Sequence, residues 1–281
     1  MAYYISENKE KDAEFQKSGW TEVARYMRGM DPWHHPVTIH PTDHARDQVA
    51  DDSLLDFDML QTGHGGFDSI PGTIQNVCQE VARTPHMPVV NGEVCYEGII
   101  EGSREEIQRF MFWACVLSGA TGFTYGANGI WQLNRRDKPY GPSPWGGAWG
   151  NQPWEDAYQL PGSKHLGLGK SLLERYPWWR FESHNEWIEP HAQEGNYRAP
   201  LAAGIPGELR VIYLPGPVWP WGGEKSQTLQ KLEAGVTYRA RYVDPHTGDE
   251  YPLGDIRSAD GKWKLPVTPI TQDWLLILEK A

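Results

Sequence analysis

The chain has 281 residues, 37 acidic against 26 basic side chains, and a formal net charge of −11. That excess of acid argues against a nucleic-acid partner. No run is long or apolar enough to span a membrane, and Met1-Ala2-Tyr3-Tyr4-Ile5-Ser6-Glu7 lacks the basic and apolar regions of a signal peptide, which leaves the compartment open.

The first ten or so residues are polar and without period. Over residues 12–30, Phe15, Trp20, Val23, Ala24, Met27 and Met30 recur at three- and four-residue steps, the pattern of a helix with one apolar face. Asp31-Pro32 stops it, and His34 and His35 read as residues closing its end. Residues 35–41 form a short β-branched run ending at His40, and residues 54–60 form a second. The second leaves through Gln61-Thr62-Gly63-His64-Gly65-Gly66, ahead of a helix at about 72–83.

The apolar run 87–90 then reads as a strand buried on both faces. It ends in Asn91-Gly92-Glu93, a small sharp step that delivers a carboxylate. Ser103-Arg104-Glu105-Glu106 has the spacing of a capping box and opens an apolar helix through Phe110, Trp113 and Leu117. Residues 121–126 give a fourth strand, leaving through Tyr125, Asn128 and Trp131. Four strand–loop–helix repeats imply four parallel strands. Residues 134–159 have no period and hold Trp145, Trp149 and Trp154 among Gly and Pro, as functional loops do. A helix follows at 166–176. Composition shifts near Ser183, and beyond it short alternating runs separated by turn clusters predict a small all-β sandwich. The boundaries expected are therefore 1–182 for an α/β part and 183–281 for the β-domain. Cys78, Cys95 and Cys115 have no metal spacing and read as buried thiols.

Four βα units are half of an eight-unit barrel and cannot close a ring. The expectation is a C-terminal portion of a longer chain, or self-association through open strand edges. In such a barrel, chemistry sits at the strand C-terminal ends, where this chain offers His40, Gln61, His64, Glu93, Tyr125, Asn128 and Trp131. An acid among imidazoles, amides and aromatics suits carbohydrate chemistry, which needs two carboxylates flanking the scissile bond. Asp56, Asp58 and Glu97 are poor candidates for the second. A metal held by His40, His64 and Glu93 is the competing reading, without support from local spacing.

The stretches Asp31-Pro32-Trp33-His34-His35-Pro36-Val37-Thr38-Ile39-His40-Pro41, Leu55-Asp56-Phe57-Asp58-Met59-Leu60-Gln61-Thr62-Gly63-His64, Val89-Val90-Asn91-Gly92-Glu93 and Tyr125-Gly126-Ala127-Asn128-Gly129-Ile130-Trp131-Gln132 resemble the apiosidase-like glycoside hydrolases, family 140 and its relatives. The tail resembles the small β-domain, labelled collagen-binding, that usually accompanies them. The resemblance implies a retaining (β/α)8 hydrolase of polysaccharide side chains, without cofactor, whose nucleophile follows the seventh strand. Asn91-Gly92-Glu93 matches that position. His40 would end the fifth strand, Gln61 and His64 the sixth, and Trp131 the eighth. By the same analogy the acid/base and strands one to four have no counterpart here, so the chain alone is expected to be inactive. The rival from another class is a module that binds polysaccharide or fibrous protein beside a vestigial barrel; Trp219 and Trp221 would then carry the binding.

Overall fold

The computed structural model describes residues 9–139, 150–216 and 227–281, so Trp145, Trp149, Trp219 and Trp221 lie outside the described residues. Helix α1 (Lys9–Met30) forms where its period predicts, but its apolar face is uncovered by the described residues. Phe15, Val23, Tyr26, Met27 and Met30 are exposed, and its buried positions are Asp12, Thr21 and Ala24. It is Asp31, not His34 or His35, that closes the helix end: its carboxylate accepts the backbone N–H of Trp33 at 2.9 Å and of His35 at 2.6 Å.

Among the described residues the parallel sheet has three strands, not four. These are β1 (Asp58–Gln61), β2 (Val89–Glu93) and β3 (Gly122–Phe123), side by side in that order. The expected first strand, at 35–41, joins no ladder. Pro36 and Pro41 lack donors, and the Val37 N–H goes to the Asp56 carboxylate at 2.6 Å rather than to a neighbouring carbonyl. Val37 O accepts from Asp56 N at 2.8 Å, so the segment is tied beside the entry to β1 without continuing the sheet.

Helices α2 (Ile70–Ala82) and α3 (Glu105–Leu117) cover one face of this sheet. Leu60, Val77, Val89, Cys115 and Ala120 pack between them. The capping box ahead of α3 does not form. Ser103 sits at φ +49, and Arg104 is the N-cap with no side-chain cap. Of the cysteines, Cys95 and Cys115 are buried, but Cys78 is exposed on α2. Two further helices follow β3: α4 (Trp154–Ala157) and α5 (Pro161–Leu173), the second starting five residues before the expected position.

The remainder is antiparallel. It comprises β4 (Glu182–Ser183), β5 (Ile188–Glu189), β6 (Leu201–Ile205), β7 (Leu209–Leu214), β8 (Thr228–Leu229), β9 (Tyr238–Val243), β10 (Glu250–Ile256), β11 (Trp263–Lys264) and β12 (Trp274–Lys280). One sheet runs β10-β9-β12-β7-β6-β4 and the other β11-β8-β5. The central strands do not alternate buried and exposed, as a solvent-facing sheet would. All six residues of β7 are buried. Parity divides them between two cores. Leu209, Val211, Tyr213, Leu275 and Ile277 join Phe110, Trp113 and Leu117 of α3 and Leu166 and Leu172 of α5. Ile212, Leu214, Trp274, Leu276 and Leu278 join Trp187, Ile188 and Leu229 under the smaller sheet.

The first of these cores crosses position 183 without a break, and a buried ion pair seals its edge. Arg109 of α3 forks onto Asp273, Nε to Oδ2 at 2.8 Å and Nη2 to Oδ1 at 2.9 Å. Asp273 also accepts the Tyr213 hydroxyl at 3.0 Å and lies 3.0 Å from His246 Nε2. Arg109 Nη1 stands 3.0 Å from His165 Nδ1, and the His165 and His246 rings stack at 5.3 Å.

Candidate active site

β2 ends in a bulge, and the bulge aims Glu93. Asp58 pairs with Val89, Met59 with Val90 and Leu60 with Asn91, but Gln61 pairs with Glu93. Gly92 is the extra residue, and a bulge of this kind redirects the side chain that follows it. A Cβ at Gly92 would stand 2.7 Å from the Met59 side chain, so any larger residue there would push that side chain aside. The fixing is polar underneath. Thr62 N donates to Glu93 O at 3.0 Å, and the Asn91 amide and Thr62 hydroxyl are 3.0 Å apart.

Three expected residues converge on the Glu93 carboxylate. His40 Nε2 is 2.7 Å from Oε2, His64 Nε2 is 2.9 Å from Oε1, and Gln61 Nε2 donates to Oε1 at 3.0 Å. The tautomer of His64 follows from its other nitrogen. The Tyr96 N–H donates to His64 Nδ1 at 3.4 Å, so Nε2 carries the proton and donates to Glu93. Burial raises the Glu93 pKa, yet hydrogen bonds from His64 and Tyr96 and the electrostatic attraction of the His64 and His40 rings outweigh it. The carboxyl is held below its usual range. Glu93 is thus an ionised, oriented carboxylate at the C-terminal end of a parallel strand.

The sequence matches the family described as "Apiosidase-like, catalytic domain" over residues 3–180. The chain belongs to this apiosidase-like family. Among solved structures it is similar to one titled "Glycoside hydrolase", with a TM-score of 0.78 at 20% identity over 98% of this chain and 62% of the other. It is also similar to a glycoside hydrolase family 5 protein from Bacteroides vulgatus ATCC 8482, with a TM-score of 0.75 at 21% identity over 98% of this chain and 60% of the other. The apiosidase-like chain therefore spans about three fifths of the length of each. No curated protein matches it.

The other expected residues of this apiosidase-like chain lie apart from the Glu93 cluster or beneath the surface. The Tyr125 hydroxyl donates to Glu97 Oε2 at 2.6 Å. Asn128 is fully buried, its Oδ1 accepting from Gln132 Nε2 at 2.8 Å. Trp131 is 46% exposed in the turn after β3. Glu97 is taken up structurally as well: Gly162 N, in the first turn of α5, stands 3.1 Å from both its oxygens. It thereby does the work of an N-cap from a distant segment. Burial raises its pKa, against the hydrogen bonds from Tyr125 and Gly162.

Tyr96 is the residue that sequence reasoning missed. Its ring packs at a tilt of 49° against His64 with centroids 4.5 Å apart, and burial and the Glu93 charge both raise its pKa, so it stays a phenol that donates. Its ring lies so close over Gly126 that a Cβ there would overlap it. The only sequence signal was its position three residues after Glu93. The loop it belongs to is strained: Cys95, Ile100 and Ser103 all have positive φ, at +41, +53 and +49. Cys95 N is tied to Gly63 O at 3.0 Å, and the Gln108 side chain donates to Cys95 O, which holds the strained turn in place.

Proposed function

We propose that this chain carries the nucleophile side of a retaining glycoside hydrolase acting on polysaccharide side chains, with residues 9–123 as part of a (β/α)8 barrel and the antiparallel sheets as a supporting sandwich. The observation that carries the reading is the ionised Glu93 carboxylate at a strand C-terminal end, oriented by His40, Gln61 and His64. In a retaining mechanism the nucleophile attacks the anomeric carbon to form a glycosyl-enzyme, which water then hydrolyses. A partner acid roughly 5–5.5 Å away protonates the leaving oxygen and afterwards activates the water. The depressed pKa keeps Glu93 charged for attack. His64, donating through Nε2, holds Oε1 and leaves the carboxylate anchored rather than free to turn. Trp131, half exposed beyond β3, offers a ring face against which a sugar packs.

The partner acid is assigned to none of the nearby carboxylates. Glu97 is engaged by Tyr125 and Gly162, and Asp58 faces α2 rather than the strand ends. By this reading the chain alone turns over no glycoside, and activity needs a polypeptide that supplies the acid. The test is hydrolysis of a panel of aryl glycosides, with Glu93→Gln in any longer polypeptide that contains this sequence and is active. The expected loss is on the order of 10³-fold or more in kcat with the fold intact. Retained turnover in that variant ends the nucleophile assignment. Turnover by the 281-residue chain itself, lost on Glu93→Gln, places the second carboxylate within this sequence instead.

A binding-module reading gains little from the fold. The large sheet spends one face on α3 and α5 and the other on the smaller sheet, as a support would.

A further inference from the structure

A second polar cluster lies at the opposite end of β1 from the Glu93 site, and it is independent of the function proposed above. Asp58 opens β1 with its side chain turned outward to α2, where it meets Glu80; both are buried, Asp58 completely. His44 is bridged to Leu60 of the same strand, and its Nδ1 lies 3.5 Å from Glu80 Oε1. One ligand atom from each of His44, Asp58 and Glu80 lies within 4.8 Å of the other two.

Two of these atoms have no hydrogen-bond partner among the described residues. They are Asp58 Oδ2 and His44 Nδ1, although Asp58 Oδ1 accepts the Arg46 N–H at 3.0 Å. An unsatisfied carboxylate oxygen facing a second carboxylate in a buried site is costly, because each desolvated charge repels the other. Arg46 places Nε and Nη2 on Asp52 at 2.9 and 2.6 Å, while its buried Nη1 has no hydrogen-bond partner, and its charge opposes the rise at Asp58 without reversing it. Arg83 Nη1 is shared between Asp47 at 3.0 Å and Glu80, standing 3.2 Å from Oε2 and 3.5 Å from Oε1, and His44 Nδ1 approaches that same Oε1 at 3.5 Å.

We propose that His44, Asp58 and Glu80 form a structural binding site for a divalent transition-metal ion. One imidazole nitrogen and two carboxylate oxygens suit zinc or manganese, whose ligand bonds of about 2.0–2.2 Å place neighbouring donors roughly 3–3.5 Å apart. The His44–Glu80 separation already meets that spacing. Arg83, beside the Glu80 carboxylate, would orient the ligand as outer-shell partners do. The ion would pin the segment after residue 41 to β1 and α2, on the side of the sheet away from the strand C-terminal ends, where it would serve stability rather than turnover.

The test uses the 281-residue chain stripped with a chelator, then titrated at neutral pH with zinc or manganese chloride alone. Saturable one-to-one binding is expected by calorimetry, with Tm rising by about 3 °C or more when free metal is some hundred-fold above Kd. Asp58→Asn and Glu80→Gln are each expected to weaken binding about 10-fold or more while leaving the circular dichroism unchanged. If either variant fails to fold, His44→Gln, at a partly exposed position, decides. Glu93→Gln, which disturbs the other His–carboxylate cluster, should bind metal as the parent does. No saturable binding by the parent overturns the proposal and leaves the carboxyl pair sharing a proton. Binding that survives His44→Gln, or that is lost in Glu93→Gln, overturns it equally.

Discussion

At the scale of single residues, the site depends on close approaches that only small side chains permit. Gly92 makes the bulge that sets Glu93 opposite Gln61, and Gly126 lets the Tyr96 ring lie against the backbone leaving β3. Gly126→Ala drives a methyl into that ring, and neither the backbone nor a half-buried tyrosine packed on His64 can retreat freely. We expect a loss of roughly 1–3 kcal/mol by urea denaturation, the usual cost of forcing extra volume into a packed position. Because Tyr96 also donates to Glu93 and orients His64 through its own N–H, the same substitution should raise the Glu93 pKa, read by NMR titration of the carboxyl carbon. An unchanged stability would mean that the loop is looser than its contacts imply. Glu93, His40, Gln61 and His64 were legible in the sequence because each ends or follows an apolar run. Tyr96 was not, since its role comes from a turn with positive φ at Cys95 that no local pattern announces. Nor was the burial of Asn128, expected at the strand exits but fully buried with its Oδ1 accepting from Gln132.

At the scale of elements, helix α3 joins the parallel sheet to the antiparallel one. Every residue from Ile107 to Leu117 is buried, since α2 and β3 lie on one side and β6 and β7 on the other. Its one buried cation, Arg109, is paired with Asp273 of the far sheet. Arg109→Met would leave that carboxylate buried without its partner, and a loss of about 3–5 kcal/mol in denaturant unfolding is expected. Acid should weaken the same junction. Burial, with the charges of Arg109 and His246, lowers the His165 pKa from 6.5 to about 4. Between those values the unfolded chain takes up a proton that the folded chain refuses, so stability falls as pH drops from 6.5 toward 4. Asp273 is held below the usual carboxylate range because hydrogen bonds from His246 and Arg109 outweigh its burial. Its stabilisation is present above 3.8 and is lost at still lower pH. Asp58, whose carboxyl is pushed up to about 7 by burial and the neighbouring Glu80, contributes with the opposite sign over this range, so the His165 share is read as a difference: in melting curves from pH 7 to pH 4, His165→Phe, which cannot titrate, should lose less stability than the parent chain. Parallel profiles for the two proteins would contradict this account.

At the scale of the whole molecule, the described surface leaves one side bare. Phe15, Tyr26, Met30 and Trp33 are each more than 60% exposed on or just after α1, beside a parallel sheet with helices packed on one face. Exposed apolar side chains in such a group favour association. We expect the 281-residue chain to sediment as a concentration-dependent mixture at micromolar levels, and Tyr26→Lys with Met30→Lys to shift it toward monomer; a sharp monomer boundary for the parent would refute this. The sequence by itself determined the order of the strand and helix segments, the placement of Glu93 at a strand end and the family, because apolar period and turn residues are local properties. It also marked α1 as amphipathic, but could not say whether its apolar stripe is covered. Tertiary structure alone decided that residues 35–41 stay outside the ladder, where the Asp56 carboxylate captures the Val37 N–H. It decided as well that β7 is buried on both faces and that Asp58, Glu80 and His44 meet. Those outcomes turn on which distant group reaches a donor or a face first, and a one-dimensional pattern carries no record of that competition.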